Sequence, residues 1–173
     1  MANNCFYQIT VIGEKESCET WLKKMKSYEE ENHFYKFYSS EVYGEDFLKD
    51  GKYRMEITGN CAWALESCCR ASGYSNGKDL FEINTRDLKL KMEAYSEGPV
   101  LGFAEHYIYD NGKCILEECV KYSEYHWDKS DFPVYESYKN NYFKKYRENP
   151  PEEDKFDEQG ICKIGGFNWD STI

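Results

Sequence analysis

A chain of 173 residues that is 40% hydrophobic and 17% aromatic carries enough apolar material for one packed core. Its 32 acidic residues outnumber 22 basic ones, and the formal charge of −10 repels phosphate backbones, disfavours direct nucleic-acid binding and attracts basic partners. With no basic leader and no run near the roughly 18 consecutive apolar residues of a membrane span, the chain is expected in the cytoplasm with no membrane partner, its eight cysteines as free thiols.

The stretch CFYQITVIGE alternates and is β-branched at Ile9, Thr10, Val11 and Ile12, which predicts a first strand ended by Gly13. Cys18, Trp21, Leu22, Met25 and Tyr28 then fall at helical spacing, predicting an amphipathic helix over 15–31. HFYKFYSSEVYGEDFL is aromatic and strand-prone with an interruption at Gly44, and GKYRMEITGN is a further strand, so the two are expected to pair as a hairpin. Asn60 is expected to cap a second helix, in which Cys61, Ala64, Leu65, Cys68, Cys69 and Ser72 share one face before Gly73 closes it. Three cysteines in nine positions invite a metal or redox reading. The segment has no C-x-x-C pair and no histidine, however, and cysteine is a small residue that is often fully buried, so these thiols are assigned to the core.

YSNGKDLFEINTRD reads as a loop, and LKLKMEAYSE as a half-buried strand through the alternation of Leu88, Leu90, Met92 and Ala94. The order strand, helix, strand, strand, helix, strand predicts an α+β fold, the ferredoxin-like split β-α-β sandwich with an antiparallel sheet and both helices on one face. LGFAEHYIYDNGKCILEECVKYSEYHW adds a hairpin turning at Asp110-Asn111-Gly112. SDFPVYESYKNNYFKKYREN adds a third helix, with Tyr135, Tyr138, Tyr142 and Tyr146 along one stripe expected to lie on the sheet, and ICKIGGFNWDSTI a tail that docks back. The whole reads as a single domain over 1–173, with 1–97 as the ferredoxin-like core and 98–173 as its elaboration.

A two-residue turn at Asn111-Gly112 sets Asp110 opposite Lys113 and pairs Tyr107 with Leu116, His106 with Glu117 and Glu105 with Glu118; a bulged turn would pair Glu105 with Glu117. Either way carboxylates punctuate a face shared with Phe103, Tyr107, Tyr109, Leu116, Val120 and Tyr122. The candidate partner-binding surface is therefore Glu97, Glu105, Tyr107, Tyr109, Asp110, Glu117, Glu118 and Tyr122. The competing readings are a solvated hairpin face, an apolar face covered by the third helix, and a scaffold that pairs with its own copy through an aromatic sheet face. An enzyme acting on a nucleotide signal through Glu105, His106 and Glu118 is a further alternative. The sequence has no nucleophile elbow, H-E-x-x-H, P-loop or G-x-G-x-x-G, and nothing in it calls for a catalytic residue, a metal or a cofactor.

Several stretches, MANNC with ITVIG, GNCAWALESC, YSEGPVLGFAEHYIYDNG, ECVKYSEYHWD and GGFNWDSTI, together resemble the YubB-type ferredoxin-like proteins of phages and mobile elements, in their clostridial mobile-element version. The resemblance spans most of the chain, with a departure at Asn4, where the family pattern usually has Trp. It implies a setting and no reaction: a non-enzymatic accessory protein, an anti-defence factor of the kind that includes anti-CRISPR proteins occupying the basic DNA channel of an effector. The implied partner is a host protein or ribonucleoprotein complex with a basic groove, and the oligomeric state is left open.

Overall fold

The computed structural model describes residues 4–70, 74–98 and 103–121. The strands are β1 (Asn4–Gly13), β2 (Phe37–Phe47), β3 (Tyr53–Ala62), β4 (Lys91–Gly98), β5 (Phe103–Asp110) and β6 (Lys113–Lys121). The helices are α1 (Lys15–Lys26), α2 (Leu65–Cys69) and α3 (Leu80–Asp87). All six strands join one antiparallel sheet in the order β2-β3-β1-β4-β5-β6, so the architecture is α+β.

Side-chain alternation decides which residues the helices cover. Ile57, Ile9, Ala94 and Tyr107 are successive partners across the sheet, and residues two positions away from each share their face. That face supplies Tyr7, Val11, Met55, Met92 and Tyr109 to a buried cluster with Trp21 and Met25 of α1, Leu65 and Cys68 of α2, and Leu80 and Phe81 of α3. All three helices therefore lie on one side of the sheet. Each large apolar side chain taken fully out of water there contributes about 1.5–3 kcal/mol. The opposite face holds a smaller cluster of Ile12 and Ile108 with Leu48 and Leu116 against it, beside buried Thr10, Glu93, Tyr95 and His106.

Three local expectations are corrected. The first helix stops at Lys26 and not at residue 31: Ser27 is extended, Tyr28 is exposed, and Glu29, Glu30 and Glu31 would crowd the negative end of the helix dipole. Asn60 caps no helix. Asn60, Cys61 and Ala62 continue β3 against Phe6, Cys5 and Asn4, Trp63 turns the chain with φ at 57°, and α2 is five residues long. The stretch read as a loop contains α3, whose N-cap Asp79 accepts a hydrogen bond from the Glu82 N–H and whose Leu80, Phe81, Asn84 and Thr85 are buried. The expected third helix and the docking tail lie outside the described residues.

The β2–β3 hairpin forms as expected, and one glycine makes its packing possible. Tyr7 donates its hydroxyl proton to the Ser39 carbonyl at 2.6 Å, beside a register shift in β2. A Cβ on Gly59 would stand 2.0 Å from that same carbonyl oxygen, so only glycine fits.

Cys61, Cys68 and Cys69 are core residues, as expected. Cys5 and Cys61 are direct partners on β1 and β3, and Cys68 and Cys69 join them from α2, all four without solvent exposure. Hydrogen bonding with Cys5 and Cys68, together with burial, pushes the Cys61 thiol well above its ordinary pKa; burial does the same to Cys69 and pushes Cys18 up to about 12. A protonated buried thiol is a poor nucleophile. Peptide mapping after alkylation of the native protein should therefore show exposed Cys114 modified, with Cys5, Cys18, Cys61, Cys68 and Cys69 modified only once denaturant is added. Labelling of Cys61 or Cys68 in the native protein would remove them from the core.

Candidate functional site

The β5–β6 turn is built for its sequence. Asn111 and Gly112 have φ of 50° and 81°, the pair of positive angles that a tight primed turn demands, and Asp110 faces Lys113 as expected. The Gly112 N–H donates to Thr85 Oγ1 at 3.0 Å, and a Cβ there would come within 2.6 Å of Arg86 Cβ, so α3 packs directly against the turn. Beyond the turn the register differs from both expectations. Tyr109 pairs with Cys114 but Ile108 pairs with Leu116, which leaves Ile115 as the extra residue of a bulge. Tyr107 then faces Glu117, His106 faces Glu118, and Glu105 faces Cys119. The acidic residues are not directly opposite one another.

The face that Glu105 occupies is set by β5 itself, where it stands opposite Ser96 of β4. The Glu105 side chain is 2% exposed, on the helix side of the sheet. One carboxylate oxygen accepts the Leu65 N–H at 2.9 Å, and the other accepts the Glu66 N–H at 3.0 Å and the Tyr107 hydroxyl at 2.9 Å. Ser96 Oγ donates a fourth hydrogen bond. Leu65 and Glu66 open α2, and the preceding Ala64 has no side-chain oxygen with which to cap them. A carboxylate some 40 positions away in sequence supplies the cap, and its negative charge also suits the positive end of a helix.

Tyr107 and Tyr109 are equally interior. Arg70, just past α2, lies over the Tyr107 ring at 4.9 Å, and its Nε donates to the Tyr109 hydroxyl at 2.9 Å. Tyr109 in turn donates to Asp79 at 2.6 Å, and the Arg70 fork grips the Glu117 carboxylate through Nη1 at 2.5 Å and Nη2 at 3.0 Å. Burial raises the phenol pKa of Tyr107, reinforced by Glu105, and that of Tyr109, reinforced by the hydrogen bond to Asp79. Burial works against the Arg70 charge, but Glu117, Tyr109 and Asp79 outweigh it and hold the guanidinium protonated. Glu117 is half exposed, yet its carboxylate is already engaged inside the molecule.

Of the expected binding surface, Glu105, Tyr107 and Tyr109 are thus corrected to interior residues, because the helices cover that face of β5. Asp110 is exposed at the turn. Glu97 and Glu118 are placed by backbone register alone, opposite Ala104 and His106, and Tyr122 lies outside the described residues. The enzyme alternative loses its geometry as well. Successive strand residues face opposite sides, so His106 points away from Glu105 and pairs its Nε2 with Glu93 Oε1 at 2.6 Å, both side chains buried.

Sequence reasoning missed the exposed patch. Seven large apolar side chains are exposed among the described residues, and four of them, Tyr38, Val42, Tyr43 and Phe47, sit on β2 at one end of the sheet. Exposed Glu41, Glu45 and Asp46 lie between them. The signal was in FYSSEVYGEDF itself: aromatics at both odd and even positions cannot all face one core.

Among the described residues, no group of three or more His, Cys, Asp or Glu side chains is arranged to hold a metal, and no helix is long and apolar enough to cross a membrane. Comparison with known proteins finds no matching family model, no similar curated protein and no similar solved structure.

The Arg70–Glu117 pair makes a pH prediction. Hydrogen bonding to Arg70 lowers the Glu117 pKa in the folded state, so the stability it contributes is present above the unfolded value of about 4.3 and is lost as pH falls through the lower folded value. Because Glu117 is half exposed, the contribution should stay below about 1 kcal/mol. Urea denaturation should show Glu117→Gln less stable than wild type at neutral pH and equal to it in strong acid; a gap that persists in acid would mean the pair does not carry it.

Proposed function

We propose that this chain is a non-enzymatic binding protein that uses acidic and aromatic surface residues to occupy the basic groove of a nucleic-acid-handling host defence complex, a CRISPR effector being the specific version. The observation that carries the reading is a segregation of chemistry from surface. Glu105, His106 and the buried thiols are occupied by internal partners, while carboxylates and aromatic rings stand exposed side by side. Such a surface suits a basic, partly apolar partner, for which charge gives encounter rate and the rings give residence. The overall −10 charge supports the same sign of partner.

The fold reading belongs to the same proposal. The order β2-β3-β1-β4 with all helices on one face supports a ferredoxin-like split β-α-β unit, which β5 and β6 extend as an added hairpin. This is the architecture that the resemblance to YubB-type mobile-element proteins implies, and the mobile-element setting supports an anti-defence role. Fold by itself confers no function, so the weight rests on the surface.

The test is a pull-down of the tagged full chain against purified CRISPR effector complexes, with DNA cleavage measured in parallel. At least one complex should be retained and its cleavage suppressed, and the association rate should fall about tenfold or more as salt rises from 0.1 to 1 M and the Debye length shrinks from about 10 to 3 Å. Failure to bind or protect across effectors would overturn the CRISPR version; binding that ignores salt would overturn the electrostatic basis.

A further inference from the structure

We infer that β2 is a docking edge that accepts an extended, basic segment of the partner as a seventh strand of the sheet. The inference rests on the reading of the chain as a binder of basic partners and adds the site and the mode of binding. Among the described residues β2 is one terminal strand of the sheet, paired to β3 on one side only, so its other side offers backbone N–H and C=O groups to an incoming strand. Proteins usually block such edges with Lys or Pro, and FYSSEVYGEDF contains neither. Instead the strand exposes Tyr38 at 54% and Phe47 at 65%, with Tyr43 and Val42 between them, a concentration of apolar surface that an unused edge has no reason to keep.

Charge selects the occupant. Glu41, Glu45 and Asp46 are exposed on β2, and the strand has no Lys or Arg. Two copies of β2 side by side would gather six carboxylates, two of them already paired to Arg54, and the other four, well inside one Debye length of about 10 Å at 0.1 M salt, disfavour self-pairing. Asp46 is shared with Arg54 of β3, at 3.0 Å, and Glu45 accepts from the Tyr53 hydroxyl, so both carboxylates are held in place rather than swinging free. A segment that alternates Lys or Arg with β-branched residues would set its cations on the face that carries Glu41 and Asp46 and lay its apolar positions beside Val42 and Phe47, on the face that also carries Glu45. The register shifts at Phe37/Ser39 and Val42/Gly44 divide β2 into two straight runs, Ser39–Val42 and Gly44–Phe47, so the added strand should be short.

The experiment uses the full chain and a fluorescein-labelled ten-residue peptide of alternating Lys and Val. Matched controls are a Glu/Val peptide and two peptides N-methylated on alternate residues, one for each edge of the strand. Anisotropy should show salt-sensitive binding of the Lys/Val peptide, loss of binding for one N-methylated form only, and no binding of the Glu/Val peptide. Amide shift changes should centre on residues 38–47. The Tyr38→Ser, Phe47→Ser double variant, whose changes lie at exposed positions with only the edge contact of Phe47 on Tyr53 lost, should keep its far-UV spectrum and a cooperative melt while affinity falls about tenfold. Equal tolerance of both N-methylated peptides, binding of the acidic peptide, no binding of the Lys/Val peptide, or shifts centred elsewhere would each overturn the inference. The same double variant separates this idea from the wider one: if it still captures and inhibits a defence complex as wild type does, the edge is not the docking site although the binding function stands.

Discussion

A single buried carboxylate anchors the shortest of the described helices of this molecule to its sheet. Helix α2 is five residues long, far too short to persist on its own, and it begins after an alanine that offers its first amides nothing. Glu105 reaches from β5 to take both of those amides, and Ser96 and Tyr107 complete its hydrogen bonding. Burying a charge is costly unless every lone pair finds a donor, and here four donors converge on it. Once α2 is fixed, Cys68 and Cys69 are delivered to Cys5 and Cys61, and Arg70 is delivered to Tyr107, Tyr109 and Glu117. The thiol cluster and the Arg70 network both follow from that one cap.

The same constraint redistributes the functional surface. A hairpin read from its sequence as an acidic, aromatic patch becomes in three dimensions the lining of the core, because its tyrosines and its central glutamate meet α2 and α3. In the proposed function, recognition falls to the exposed far edge of the sheet at β2. Its Tyr38 ring stands open, Phe47 meets the interior only edge-on through Tyr53, and its carboxylates give it the sign of the whole chain. The interior is rich in groups that resemble chemistry, yet each is committed to holding another in place.

Much of the fold was legible because it follows from period-two alternation. Ile9, Val11, Met92 and Ala94 announce their strands, and Asn111-Gly112 announces its turn, through local rules that tertiary structure did not override. The failures lie where a distant residue decided the outcome. Cys61 to Cys69 has helical spacing, but pairing with β1 extended β3 through Ala62 and left only the last five residues helical. No local pattern identifies Glu105 as the cap of a helix 40 residues earlier. The bulge at Ile115 was invisible too, although it alone moves Glu105 from Glu118 to Cys119. Helix α3 is different: Asp79 followed three residues later by Glu82 is a capping signature that was present and passed over, because Ser75-Asn76-Gly77 just before it reads so strongly as loop.

The central claim is that Glu105 is a structural cap and not a surface carboxylate, and residue-by-residue amide hydrogen exchange in the wild type and in Glu105→Ala tests it most directly. The account predicts that the Leu65 and Glu66 amides are protected in the wild type. It predicts that the substitution costs about 2–4 kcal/mol, from several buried donors losing one charged acceptor, and that these two amides become the first in α2 to exchange. Unprotected Leu65 and Glu66 in the wild type, or a stability change within the roughly 0.5 kcal/mol of an ordinary surface substitution, would contradict it and return Glu105 to the exterior.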